Sequence, residues 1–223
     1  MNKLIGVGTA SARARTILGL TTAVVLSVGF TAAIPALYAV KVIIPVRLAI
    51  LFFVQAVFFG IAILANNRIE KLGFAELGYS RKRIASQLLW AFVIFVVLSV
   101  IFIAFPLLMG LRDIFPQRDL LLFAIPYTFT VGFAEETLFR GYLLKGLLRI
   151  RLPKIAAIIA SSAIFGAWHY MNNGSMLQVG ITGIIGIVFA VPLIYSRRCS
   201  LLSVALAHGA YDALLNIFAY LPL

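Results

Sequence analysis

The chain has 223 residues, 63% of them hydrophobic and only 12% charged, with 19 basic residues against 7 acidic and a net charge of +12. A soluble domain of this length carries about twice that fraction of charge, so an ordinary water-soluble globule is excluded and little chain is left for a soluble appendage. The single cysteine, Cys199, excludes an intramolecular disulfide and a multi-cysteine metal site, and reads as a small core residue.

A membrane span needs roughly 20 apolar residues, so six to eight spans fit. Seven are read, at about Thr16–Val40, Leu48–Ala65, Leu88–Leu108, Leu120–Leu144, Ile155–Tyr170, Val179–Tyr195 and Leu201–Tyr220. The expected fold is an all-α polytopic transmembrane helical bundle, one integral membrane domain over residues 1–223, without internal repeat or long linker. With the N-terminus in the cytoplasm, fourteen basic residues fall in inside segments and four (Lys41, Arg47, Arg112 and Arg118) outside. That asymmetry predicts a multi-pass cell-membrane protein, N-terminus in and C-terminus out. It also explains the net charge better than nucleic acid does, because the basic residues are parcelled between apolar runs with no aromatic-basic platform.

The first span has a rival reading. Lys3, Arg13 and Arg15 precede an apolar run ending Pro35-Ala36-Leu37-Tyr38-Ala39, like a signal peptide with a small-residue cleavage site. Further along, Pro126 in the fourth span and Pro192 in the sixth mark kinks or a cavity. Gly180, Gly183 and Gly186 would give the sixth span a smooth face for helix packing.

Both histidines and three of the acids lie inside apolar stretches, in the blocks 134–140, 165–169 and 208–212. Ionisable groups in a span cost roughly 2.5–3.5 kcal/mol each on insertion scales, which points to joint use in an intramembrane reaction centre. Glu136 and Arg140 are four apart and share a helix face, so an ion pair between them lowers the cost of both. Glu135 is rotated about 100° from Glu136 and is the carboxylate freer for chemistry. Glu135 and His169 are equally far in sequence from Leu152, the centre of the turn between their spans, which places them at similar depth. His208 and Asp212 share a face of the last span, with a looser depth match that helix tilt has to close.

Two chemistries suit this set. In one, Glu135 is a general base activating water, helped by His169, while His208 and Asp212 stabilise the carbonyl oxygen of a peptide bond. In the other, Glu135, His169 and His208 ligate a zinc ion with water in the open position. The metal-free version is expected, because the Arg140 cation one turn from the carboxylates repels a second cation. A serine mechanism is weak: Ser161, Ser162 and Ser203 lack a nucleophile elbow. No two aspartates lie within spans, which disfavours an aspartyl dyad.

At these residues the sequence resembles the CAAX protease and bacteriocin-processing family of intramembrane endopeptidases, also called the Abi family. Glu135-Glu136 to Arg140 matches its Glu-Glu-x-x-x-Arg block, Phe165 to His169 its Phe-x-x-x-His block, and His208 to Asp212 its His-x-x-x-Asn/Asp block. The likeness covers about residues 120–220; the first hundred residues match only as generic spans. It implies a helical bundle with a cytoplasm-facing site, Glu135 as base, His169 as its partner, His208 and Asp212 as oxyanion site, and Glu136–Arg140 as supporting pair. It also implies a membrane-associated protein or peptide substrate, and the composition fits a small bacterial member. Where the prenyl-protein endopeptidases have asparagine, this chain has Asp212, and a carboxylate donates no hydrogen bond unless protonated. Two other function classes compete with an intramembrane protease. One is a non-catalytic immunity or scaffolding protein on the same fold. The other is a proton-coupled transporter, disfavoured by the lack of paired broken helices in two repeats.

Overall fold

The computed structural model describes residues 10–38, 44–110 and 121–218. Among these the chain forms seven helices and no strand. Helix α1 is Ala10–Tyr38. Helix α2 is Ile44–Leu64, continued by a π-helical turn Ala65–Ile69. Helix α3 is Ile84–Ser99, continued through Val100–Ala104 and Phe105–Leu108. Helix α4 starts as Leu121–Glu136, passes through a π-helical stretch Thr137–Leu144, and ends as Lys145–Arg149. Helices α5 (Lys154–Asn173), α6 (Met176–Tyr195) and α7 (Leu201–Phe218) follow. These are the seven segments expected. Lys3, Ala39, Lys41, Arg112 and Arg118 lie outside the described residues.

Four stretches, Ala10–Ile34, Phe52–Ile69, Ile84–Leu108 and Met176–Tyr195, are each long and apolar enough to cross a membrane, and Leu201–Leu215 is a shorter apolar helix. Large apolar side chains such as Leu89, Phe92, Leu108, Ile155 and Leu177 are exposed around the outside, as lipid-facing residues are. The protein is an all-α membrane bundle.

Local signals end the helices where the sequence changes. Arg151 takes a left-handed conformation (φ 71°) and Pro153 precedes the first residue of α5, giving a tight α4–α5 turn around Leu152. Gly174 (φ 69°) closes α5, and the Ser175 side chain accepts from Gln178 N at the start of α6. Pro192 sits inside α6, and the helix runs on to Tyr195. The core is built on an edge-to-face aromatic chain: Phe30–Phe58, Phe58–Trp168 and Phe139–Phe165 have centroids 5.4, 5.0 and 4.9 Å apart. Trp168 Nε1 donates to Thr31 Oγ1 (2.6 Å), so α1 is packed into this core.

One end of the bundle is tied by polar contacts. The buried Glu70 carboxylate receives Arg149 through both oxygens (2.9 and 3.0 Å) and the Thr16 hydroxyl at 2.7 Å. This forked, charge-assisted arrangement joins α1, α2 and α4. The segment between α2 and α3 is docked beside it. Leu201 N donates to Gly78 O (3.2 Å), Lys145 Nζ to Glu76 O (3.0 Å) and Gln87 Nε2 to Ser80 O (3.0 Å), while the Ser200 hydroxyl donates to Gln87. The basic segments around Arg15, Arg68, Arg83, Arg149 and Arg198 are thereby gathered at one end.

Burial pushes the Lys145 ammonium from 10.5 down to about 8, with Arg149 adding to the shift and Glu76 opposing it. A depressed lysine binds fewer protons in the folded than in the unfolded state between those values. Its cost to stability is therefore greatest below about 8 and is relieved as pH rises toward 10.5. The Tm difference between wild type and Lys145→Met should move in favour of wild type as pH is raised through that window. A difference flat in pH would contradict the burial of Lys145 against this segment.

Candidate active site

Helices α4 and α7 cross in backbone contact. A Cβ on Gly132 would press on the Ala205 carbonyl and lie 2.7 Å from the Gly209 nitrogen, so only glycine fits there. Glu135 and Glu136 follow Gly132 by three and four residues and share its face; His208 immediately precedes Gly209. The crossing therefore carries the last histidine to the two glutamates.

Glu136 is the hub. Its Oε1 accepts from Arg140 Nη1 at 3.0 Å and lies 2.9 Å from His208 Nδ1. A carboxylate only accepts, so His208 Nδ1 carries a hydrogen. The other edge of that ring, Nε2, lies 3.4 Å from Asp212 Oδ2 and 4.0 Å from Glu135 Oε2. One imidazole is thus surrounded by three acids. Glu136 and Arg140 are fully buried, and Glu135 and His208 nearly so, at 6% and 5% exposure.

The Arg140 guanidinium lies over the Phe165 ring (4.0 Å to the centroid) and near Phe189 (5.3 Å). Gly186 makes room for it, since a Cβ there would sit 2.9 Å from Nη2. Gly183 packs differently: its nitrogen would be 3.1 Å from a Cβ on Gly166 of α5, whereas Gly180 faces open space. Only two of the three glycines in α6 serve close packing. Arg140 Nε and Nη2, Ser162 Oγ, and one oxygen each of Glu135 (Oε2) and Glu136 (Oε2) have no protein hydrogen-bond partner. Buried polar atoms of this kind are costly and concentrate where function retains them.

His169 shares no hydrogen bond or ion pair with this network among the described residues. Its Nδ1 is 2.9 Å from the Phe165 carbonyl, so that nitrogen carries the hydrogen and Nε2 keeps its lone pair when the ring is neutral. Phe165 and Trp168 flank the ring edge-on, at 4.6 and 5.0 Å. No hydrogen bond or ion pair joins His169 to Glu135; His208 is the imidazole nearest that carboxylate. The structure thus brings together Glu135, Glu136, Arg140, His208 and Asp212. The Phe165 ring faces both histidines, with its centroid 4.6 Å from that of His169 and 6.1 Å from that of His208. Among the described residues, no three His, Cys, Asp or Glu side chains are grouped as a metal-binding set.

Residues 117–214 match the family described as type II CAAX prenyl endopeptidase Rce1-like. Over this region the chain is similar to the CAAX protease family. The match contains all six candidate residues and leaves α1, α2 and α3 outside it. A search of curated proteins and a search of solved structures found no match.

The matched region has neighbours that sequence reasoning missed. Tyr79 comes from the α2–α3 segment, outside the matched region, and stacks between Phe74 (5.4 Å) and Phe133 (6.1 Å). Its hydroxyl lies 2.7 Å from Thr137 Oγ1. Thr137 gives its own hydrogen to Phe133 O at 2.6 Å, so Tyr79 is the donor. Burial pushes the Tyr79 phenol up to about 12, with the Thr137 bond opposing and the Glu136 charge adding. No sequence signal marked Tyr79.

The two glutamates differ in what they hold. Glu136→Gln removes the carboxylate that, among the described residues, is the one within bonding distance of the buried Arg140, and should cost about 3 kcal/mol of stability. Glu135→Gln leaves that pair intact and should change stability by less than about 1 kcal/mol. Thermal unfolding of both variants in detergent tests this. The reverse order would contradict the division.

Proposed function

We propose that the protein is an intramembrane endopeptidase that hydrolyses a peptide bond in a membrane-associated protein or peptide, with Glu135 as general base. The observation that carries this reading is the pairing of an engaged carboxylate, Glu136, with an adjacent one, Glu135, whose Oε2 has no partner and faces His208. The family match supports the reaction class.

In the proposed step, a Glu135 oxygen takes a proton from water as the water oxygen bonds to the scissile carbonyl carbon. The carbonyl oxygen becomes an oxyanion, stabilised by an N–H at His208 Nε2. Asp212, 3.4 Å from that nitrogen, favours the doubly protonated ring by its charge and gives up the Nε2–H to the oxyanion as it forms, since a carboxylate has no hydrogen of its own to donate where an asparagine would. Collapse breaks the C–N bond, and the proton held by Glu135 passes to the departing amine. The His169 Nε2 lone pair is available to orient the water. Glu136 and Arg140 hold His208 and keep the site charge-balanced. An apolar cavity of about 290 Å³ between α1, α4 and α5, lined by Val24, Phe139 and Trp168 among others, suits an apolar part of the substrate.

We also propose that catalysis is metal-free. What supports this over the alternative zinc set of Glu135, His169 and His208 is the Arg140 guanidinium, a fixed cation beside the carboxylates that disfavours a second one. Topologically, the basic end of the bundle is read as cytoplasmic, with the N-terminus inside.

The test is to incubate purified protein with a membrane-protein lysate and map new peptide ends. Wild type should generate ends that Glu135→Gln generates about a hundredfold more slowly or worse. Exhaustive chelation should leave the wild-type rate unchanged. Equal products from both proteins would overturn the enzyme reading in favour of a non-catalytic role. Activity lost on chelation and restored by zinc alone would overturn the metal-free step.

A further inference from the structure

The candidate site is divided between two helices. Helix α4 carries Glu135 and Glu136, and α7 carries His208 and Asp212. Its geometry therefore depends on how those helices are turned toward each other. Glu136 is tied in place by Arg140 and His208. Glu135 has less to hold it: its Oε2 has no hydrogen-bond partner and stands 4.0 Å from His208 Nε2. The aim of that oxygen is set by the backbone that carries it.

Four consecutive residues of the α2–α3 segment, outside the family-matched region, grip both helices. Glu76 O accepts from Lys145 Nζ on α4 (3.0 Å), and Gly78 O accepts from the nitrogen of Leu201, the first residue of α7 (3.2 Å). Between them Leu77 is fully buried, and its carbonyl would lie 3.2 Å from a Cβ on Gly141, the residue after Arg140. Tyr79 comes nearest the glutamates. Its ring stacks on Phe133 with 16° between the planes, and its hydroxyl lies 2.7 Å from Thr137 Oγ1. Phe133 and Thr137 bracket Glu135 and Glu136 in sequence, and Thr137 opens the π-helical stretch. A phenylalanine at position 79 could stack on Phe133 equally well. What the hydroxyl adds is direction, because a hydrogen bond fixes an angle where stacked rings can slide.

We propose that Tyr79 is a positioning residue: through Thr137 it fixes the rotation of α4 at the two glutamates, and so holds Glu135 toward His208 and the attacking water. The effect on rate rests on the hydrolytic reading; the effect on His208 can be measured without it.

Tyr79→Phe keeps the stack and removes one hydroxyl, so it should fold with a Tm within a few degrees of wild type. In the membrane-lysate assay it should release the same peptide ends about tenfold more slowly, the scale of a sub-ångström misplacement of a reacting group. Thr137→Val should also slow release, and the double variant should be no slower than Thr137→Val, because both changes remove the same bond. The second readout needs no substrate. His169 and His208 are the two histidines of the sequence, so imidazole NMR spectra of protein labelled at histidine nitrogen hold one set of signals for each, assigned with His169→Asn. Tyr79→Phe should move the His208 signals and leave those of His169, on α5, in place. An unchanged rate of release overturns the proposal, as do unmoved His208 signals. Equal movement of both histidines, or a rate loss matched by a loss of folded protein, also overturns it by making the role purely structural. If wild type and Glu135→Gln release the same ends, the hydrolytic reading fails, and the His208 signals alone decide whether Tyr79 sets the geometry of the site.

Discussion

A carboxylate buried with an arginine in a helix bundle is the constraint on which the rest of this structure depends. Glu136 and Arg140 are both fully buried. Separately, each would be prohibitive in apolar surroundings; together, in direct contact, they are tolerable. The pair has a second consequence. Because Glu136 Oε1 serves both Arg140 and His208 Nδ1, it turns the histidine so that Nε2 faces Glu135 and Asp212. The chemistry proposed for Glu135 follows from its neighbour being occupied.

The backbone makes this possible by omission of side chains. Gly132 lets α4 and α7 touch, and Gly186 vacates the space that the Arg140 guanidinium fills. The π-helical stretch Thr137–Leu144 begins directly after the two glutamates and contains Arg140. Such wide turns recur at functional sites because they re-aim side chains that a regular helix would hold elsewhere. The segment between α2 and α3 stabilises the start of this stretch, through Tyr79 on Thr137 and Leu77 buried in the core. The family-matched region is thus completed by residues that precede it.

Hydropathy and charge made the seven helices legible, since a bilayer sets both the length and the composition of what crosses it. Spacing made the Glu136–Arg140 pair legible, because i,i+4 residues face one way on any helix. Depth was less readable. Symmetry about Leu152 suggested Glu135 facing His169, yet helical phase and crossing angle decide which side chains meet, and His208 is the nearer imidazole. That phase depends on Gly132, whose significance lies in a contact 73 positions ahead at Ala205 and cannot be read from a single glycine. Gly180, Gly183 and Gly186 looked equivalent, and only their packing partners separate them. Tyr79 was invisible because a loop residue reaching into a site has no periodicity to betray it.

The claim that the buried Glu136 carboxylate and Arg140 hold each other in place is tested most directly by a double-mutant cycle on unfolding free energy, using Glu136→Gln, Arg140→Gln and the two together. Residues in a shared buried ion pair couple, so the double variant should be less destabilised than the sum of the singles by about 2 kcal/mol or more. Additive effects, within about 0.5 kcal/mol, would contradict the organising role of Glu136.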